Sequence, residues 1–107
     1  MNKTYRAVFS VGCGKDREGR EISKRRAEGL IITARNEAAE RFGGVSITRN
    51  LGAWRDVPGH IVCEDSVDFT IVSDKREDFK SFASYLKALF VQSAVLLVVQ
   101  EVEAEFV

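Results

Sequence analysis

The stretch Arg41-Phe-Gly-Gly-Val-Ser-Ile-Thr-Arg-Asn-Leu-Gly-Ala-Trp-Arg-Asp56 decides the fold, because a helix end, a strand and a polar turn follow one another within it. Gly43 is expected to end the helix, since glycine takes the left-handed C′ conformation without steric cost. Residues 45–50 then alternate between apolar and polar side chains, as a half-buried strand does. A helix that passes directly into a strand predicts an α+β domain.

Upstream of this stretch, the sequence predicts a strand, a loop and a helix. Residues 5–11 alternate in polarity, and residues 12–20 form a polar loop with three glycines. Ser23 is the expected N-cap of an amphipathic helix of about five turns. The apolar residues of this helix recur at intervals of three and four positions: Ala27, Leu30, Ile31, Ala34, Ala38 and Phe42.

Downstream, residues 50–59 are rich in turn formers and contain the only proline, so they form either a connection or a hairpin whose strands continue partway into it. Residues 60–72 predict a long strand, in which Asp65 interrupts the apolar alternation and indicates a bulge. Asp74 and Glu77 match a capping box for a second helix that ends near Phe90. Residues 94–107 predict the last strand.

The resulting order, β-α-β-β-α-β, predicts one domain over residues 1–107. Right-handed crossovers favour a four-stranded antiparallel sheet with both helices on one face, which is the ferredoxin-like fold. The first and third strands are expected to be central, and the first and last strands to be neighbours.

Composition excludes several classes of protein. The 107 residues include 45% hydrophobic and 30% charged residues and have zero net charge, which argues against a dedicated binder of duplex DNA. Residues 1–55 carry an excess of six positive charges and residues 56–107 an excess of six negative charges, a complementarity that suits self-association. The sequence shows no signal peptide, no membrane-spanning apolar run and no CxxC pair, so we expect a cytoplasmic protein with reduced cysteines.

The last predicted strand begins with side chains that are apolar on both faces. We assign Val95, Leu97 and Val99 to the sheet face that lies opposite the helices, together with Val8 of the first strand. Apolar surface of this kind marks interfaces, so the sequence predicts a homodimer, either through the open sheet face with these four residues or through the edge of the last strand. The alternative is that residues 50–59 cover this face and leave a monomer.

Two groups of residues are candidates for ligand binding. Trp54 with Arg49, Arg55 and Glu64 offers an indole for stacking on a planar ligand, guanidinium groups for anions and a carboxylate. A glycine-rich loop with nearby cations forms a weaker candidate for anion binding, although it lacks the P-loop pattern; its residues are Gly12, Gly14, Lys15 and Arg20. The structural alternatives are a packed Trp54 and a solvated loop.

Three residues are candidates for catalysis. His60, the only histidine, suits a general base at neutral pH, and Glu64 is a second candidate base. Cys13, between two glycines, is expected to be exposed and would need a cationic neighbour to act as a nucleophile. His60, Cys63 and Glu64 form too loose a set for a structural zinc site, and we expect neither a metal nor a cofactor.

Four short motifs carry a family resemblance: Phe42-Gly-Gly-Val-Ser-Ile-Thr, Gly52-Ala-Trp-Arg, Gly59-His-Ile-Val-Cys-Glu64 and Phe90-Val-Gln-Ser-Ala-Val-Leu-Leu97. The chain resembles small prokaryotic and phage proteins without an assigned activity, over about residues 8–99. The resemblance implies a ferredoxin-like fold and supplies no catalytic residues. Its positions outside the obvious core are Gly52, Trp54, Glu64 and Gln92.

The leading functional hypothesis is a dimeric, non-catalytic module that binds a protein partner or a small ligand. The second is a small-molecule enzyme of the dimeric α+β-barrel kind, with His60 or Glu64 as base in a cleft between sheet and helices. The third is binding of nucleic acid through the basic residues 15–26.

Overall fold

The computed structural model of the protein describes residues 2–107, which form one sheet with two α-helices and a short 3₁₀ helix. The predicted order of elements, β-α-β-β-α-β, is confirmed. The elements are β1 (Thr4–Gly12), α1 (Lys24–Phe42), β2 (Ser46–Val57), β3 (His60–Ser73), the 3₁₀ helix (Arg76–Asp78), α2 (Phe79–Leu89) and β4 (Leu96–Val102).

The sheet is antiparallel, with the strand order β2-β3-β1-β4. Strands β1 and β3 are therefore central, and β4 lies beside β1, as the sequence predicts. Both helices pack on the same sheet face, which completes the ferredoxin-like architecture. The last strand is shorter than predicted and ends at Val102, because that residue pairs with Thr4, the first residue of β1.

Local signals in the sequence place the first helix correctly and the second less well. The side chain of Ser23 accepts a hydrogen bond from the Arg26 N–H at 3.1 Å, and Gly43 ends α1 with φ 87°. The capping box predicted at Asp74 is wrong, because the 3₁₀ helix intervenes before α2.

Strands β2 and β3 form a long hairpin that extends past the end of β1. Of the two alternatives for residues 50–59, the hairpin whose strands continue into this segment is the one observed. The turn itself is only Pro58 and Gly59, and Gly59 has the positive φ of 81° that a tight turn requires. The bulge lies at Asp56, where the register shifts, rather than at Asp65 as predicted. Residues 51–65, which lie beyond the last β1 partner of β3, are called the arm below.

Five fully buried phenylalanines fill the space between sheet and helices: Phe9, Phe69, Phe79, Phe82 and Phe90. The ring of Phe9 meets those of Phe82 and Phe79 edge-to-face, with centroids 5.0 and 6.0 Å apart. Such contacts fix the face of the sheet that each strand buries.

The assignment of Val95, Leu97 and Val99 to the open sheet face, the face that lies opposite the helices, is wrong. Leu97 pairs with Phe9 and Val99 with Ala7, and all three residues pack against the core. Directly paired residues share a face, so Leu96 and Val98 are the residues of β4 that lie on the open face, at 63% and 44% exposure. Val8, paired with Val98, lies there as predicted.

Neighbouring leucines on opposite faces give a test of this register. Leu97→Ala should lower the free energy of unfolding by about 2 kcal/mol, because it leaves a cavity in the core. Leu96→Ala removes an exposed side chain, so its effect should stay within about 0.5 kcal/mol. Urea denaturation of the two variants measures the difference, and equal destabilisation would contradict the register.

Candidate functional site

On the open face, the side chain of Glu64 lies over Gly12, the last residue of β1, which has no side chain of its own. A Cβ added at Gly12 would lie 2.7 Å from Oε1 of Glu64 and 3.0 Å from Oε1 of Gln92. The backbone N–H of Lys15 donates a hydrogen bond of 3.2 Å to the same carboxylate oxygen of Glu64. Within residues 2–107, no Lys, Arg or His nitrogen lies within 4 Å of this carboxylate. The site therefore presents a carboxylate that has no paired cation and is restrained by one hydrogen bond.

The glycine-rich loop already binds one carboxylate of the protein, that of Glu64. The Glu64 carboxylate takes the N–H of Lys15, so a free anion would meet a like charge there. Arg20 is also engaged, since its Nε lies 3.0 Å from Oδ2 of Asp16. The geometry thus disfavours the anion site predicted at Gly12, Gly14, Lys15 and Arg20.

Asp16 organises this loop from a buried position. Burial acts to raise the pKa of Asp16, but hydrogen bonds from the backbone N–H groups of Arg20 and Glu18 and from the Arg20 guanidinium outweigh it. The net pKa lies below its ordinary value. The carboxylate is therefore charged at neutral pH, and its hydrogen bonds to Glu18 and Arg20 close the loop on itself.

Trp54 projects from the same sheet face as Glu64. Glu64 pairs with Gly52 and Val62 pairs with Trp54, so Trp54 and Glu64 are diagonal neighbours on one face, about 7–8 Å apart by ordinary sheet geometry. Trp54 is 47% exposed. Gly52 lies beside both side chains and adds no side chain between them; a Cβ built there would lie 3.6 Å from the Glu64 carbonyl oxygen.

Arg49 and Arg55 do not join this pair. They share the opposite face of β2, where Arg49 pairs with Val67 and Arg55 with Ile61. Nη1 of Arg49 lies 3.8 Å from Oε1 of Glu28 on α1. The predicted set of four ligand-binding residues is thus divided between two faces, and only Trp54 and Glu64 lie together.

Cys13 is buried, at 2% exposure, and not exposed as predicted. Burial raises the pKa of the Cys13 thiol, although the Arg49 guanidinium acts in the opposite direction. A raised pKa keeps the thiol protonated at neutral pH, which disfavours a role as nucleophile. Cys63 on the arm is the exposed cysteine.

His60 lies at the tip of the arm, far along β3 from the body of the sheet. Its Nδ1 is 2.6 Å from Oδ1 of Asp56, and this oxygen also accepts the N–H of Val57 at 2.7 Å. The pair closes the turn at the bulge, in an exposed position. Glu64 lies on the open face, so the predicted cleft between sheet and helices does not contain either candidate base.

Other surfaces of the described residues offer less chemistry. An open depression of about 250 Å³ between α2 and the start of β4 is lined by Ala83, Ser84, Lys87, Ser93, Ala94 and Val95. Residues 2–107 contain no cluster of three or more His, Cys, Asp or Glu side chains that could hold a metal ion. They also contain no helix that is long and apolar enough to cross a membrane.

Gly12 gives a test of the site geometry. Gly12→Ala should displace Glu64, because the new Cβ would approach its carboxylate to 2.7 Å. Loss of the hydrogen bond should raise the exchange rate of the Lys15 amide hydrogen, measured by NMR. Gly29→Ala is the control, because a Cβ there meets no atom within 4 Å, and it should stabilise α1 by up to about 1 kcal/mol. Unchanged exchange at Lys15 in Gly12→Ala would contradict the placement of Glu64.

No model of a protein family and no curated protein matches the sequence. Among solved structures, a phage SAM lyase in complex with S-methyl-5′-thioadenosine is similar, with 20% identity and a TM-score of 0.67 over 94% of this chain and 83% of that chain. The divalent cation tolerance protein of Thermus thermophilus has 13% identity and a TM-score of 0.65, over 96% and 87% of the two chains. CutA of Synechococcus elongatus has 15% identity and a TM-score of 0.57, over 94% and 78%. At such identities the likeness establishes the fold that these chains share.

Proposed function

We propose that this chain is a homo-oligomeric enzyme that binds S-adenosylmethionine (SAM) on the open sheet face and cleaves it to S-methyl-5′-thioadenosine. The observation that carries the proposal is the uncompensated Glu64 carboxylate, held by the Lys15 N–H on the same face as the exposed Trp54. The similarity to a phage SAM lyase suggests the ligand class, although a likeness of 20% identity speaks only for the fold.

The chemistry of SAM suits these two side chains. Its adenine is planar and can stack on the indole of Trp54, which is exposed on the arm. Its methionine portion carries a sulfonium and an ammonium group, and both favour a carboxylate such as Glu64. Gly52 pairs with Glu64 beside Trp54 and adds no side chain between the two contacts.

The reaction breaks the bond between the sulfonium sulfur and the γ-carbon of the methionine portion. The electron pair of that bond goes to sulfur, which leaves as a neutral thioether. The substrate's own carboxylate oxygen can form the new bond to the γ-carbon and close a five-membered lactone, so neither a proton nor an external reactant is required. A protein carboxylate is too weak a base to remove the unactivated β-hydrogen that an elimination would need. Glu64 therefore orients the substrate rather than acting as the predicted base.

The non-catalytic binding hypothesis shares Trp54 and Glu64 with this proposal, but it also includes Arg49 and Arg55, which lie on the opposite face of β2. Nucleic-acid binding through residues 15–26 has less support, because two of the six cations are already paired: Arg20 contacts Asp16 at 3.0 Å and Arg17 contacts Glu18 at 3.7 Å. It would rest on the other four, Lys15, Lys24, Arg25 and Arg26. Cations that already have carboxylate partners contribute less to binding phosphates.

Self-association is supported by apolar surface on the arm and on β4. Two-stranded hairpins are marginally stable alone, and the arm exposes Leu51, Trp54, Val57 and Ile61. The open face adds a patch of Val8, Leu96 and Val98. Leu51 and Ile61 lie on the opposite face of the arm from Trp54. A second copy that covers Trp54 and the patch of Val8, Leu96 and Val98 would also enclose the neighbouring Glu64 and exclude water from it.

Glu64→Gln should reduce the release of S-methyl-5′-thioadenosine from SAM about a hundredfold, because the neutral amide cannot attract the cationic substrate. Liquid chromatography of the reaction mixture measures the product, and Glu77→Gln on the exposed 3₁₀ helix is the control. Binding of SAM without release of product would favour the non-catalytic module. If the native protein neither binds nor cleaves SAM, the proposed function is wrong.

Paired charge substitutions on the open face test self-association. Leu96→Asp with Val98→Asp should shift the mass in light scattering towards the monomer value of 12.0 kDa, because buried charge destabilises an apolar interface. Ile32→Asp on α1 is the control, since Ile32 is also an exposed aliphatic residue. A native protein that already measures 12.0 kDa would exclude a stable homo-oligomer.

A further inference from the structure

The turn between α2 and β4 is strained next to the site. Val91 has φ 52°, and it is the only described residue other than glycine with a positive φ. A β-branched residue rarely adopts this conformation, which costs on the order of 1–3 kcal/mol and persists only where neighbouring contacts enforce it. Those contacts are the Arg17 N–H, which donates to the Val91 carbonyl at 2.7 Å, and the Gln92 N–H, which donates to the Lys87 carbonyl at 2.9 Å.

This turn delivers the side chain of Gln92 to Glu64. Its Nε2 donates to the carbonyl oxygens of Lys15 at 2.7 Å and Phe90 at 3.0 Å. Because both partners are acceptors, they fix which end of the amide carries the nitrogen. The oxygen Oε1 is therefore the free end, and it lies over Gly12 beside the carboxylate of Glu64.

Two acceptor oxygens thus lie near Gly12, which has no side chain. Oε1 of Glu64 and Oε1 of Gln92 lie 2.7 and 3.0 Å from the same point, the position that a Cβ of Gly12 would occupy. The two oxygens are therefore at most 5.7 Å apart, a span that one donor or cation can bridge, and the pair carries one negative charge. A group that donates hydrogen bonds and carries a positive charge would satisfy both acceptor oxygens and neutralise the charge of Glu64.

We infer that Glu64 and Gln92 together bind a protonated primary amine of the ligand. This inference rests on the proposed function, in which the amine is the α-ammonium group of SAM. The sulfonium has no hydrogen to donate and the ribose hydroxyls are neutral, so neither matches two acceptors with a net negative charge. An anchored ammonium leaves the adjacent carboxylate of the substrate free to attack the γ-carbon. Gln92 is then a specificity residue, and the strain at Val91 serves to position it.

Calorimetry with two ligands distinguishes binding of the ligand amine by Gln92 from a purely structural role of this residue. S-Adenosylhomocysteine has the ammonium group and a neutral sulfur, whereas S-methyl-5′-thioadenosine has neither the ammonium nor a charge. Gln92→Met should weaken binding of S-adenosylhomocysteine about tenfold, because a hydrogen bond to a charged group is lost. The same variant should change binding of S-methyl-5′-thioadenosine less than about twofold, within the range of surface substitutions. Equal weakening of both ligands, or no weakening of either, would overturn the inference.

A second measurement uses only the native protein, so it does not depend on whether Gln92→Met folds. N-Acetyl-S-adenosylhomocysteine has lost the charge and two donors of the amine, so the native protein should bind it about tenfold more weakly than the free amine. Equal affinity for the two would overturn the inference while leaving the proposed function intact. If the native protein binds none of these nucleosides, the proposed function and the inference that rests on it both fail.

Discussion

Burial of Phe9 and Phe69 beneath the helices sets the face of every side chain in the central strands. The two residues pair directly with each other, and side chains along a strand alternate with a strict period of two. Once Phe9 points towards α2, Gly12 must lie on the open face, and once Phe69 does so, Glu64 must lie there too. A shift of one residue would move both out of the site, so the aromatic core that stabilises the fold also creates the candidate site.

Within that frame, the absence of a side chain at Gly12 determines the geometry of the site. The open face of β3 carries a strip of polar residues, of which Glu64 alone is drawn over β1 by a backbone N–H. This hydrogen bond, at 3.2 Å, restrains a side chain that would otherwise sample several rotamers. Gln92 approaches the same place from β4, so the site draws on β1, β3 and the turn before β4. These elements are far apart in sequence, and only the sheet order brings them together.

The sequence predicted those features that depend on local signals. Ser23 and Gly43 bound α1 because capping chemistry acts within a few residues, and the strand order follows from a general rule of chirality. The assignment of Val95, Leu97 and Val99 to the open face was wrong because a run that is apolar on both parities has no alternation that would indicate which side chains are buried. The exposure of Cys13 was also wrong, since its burial depends on the distant arm and α1. Trp54 and Glu64 were recognised as site candidates, but the separation of Arg49 and Arg55 from them depends on pairing with β3, which the sequence does not specify locally.

We propose that a nucleoside ligand binds the open face around Glu64, between Trp54 and Gln92. Titration of the isotope-labelled native protein with S-methyl-5′-thioadenosine, followed by NMR, tests this proposal most directly. We expect shifts concentrated at the Trp54 indole and at the amides of Gly12, Lys15 and Glu64. Shifts concentrated at Ser84 and Lys87, which line the depression beside α2, or no saturable shifts at all, would contradict it.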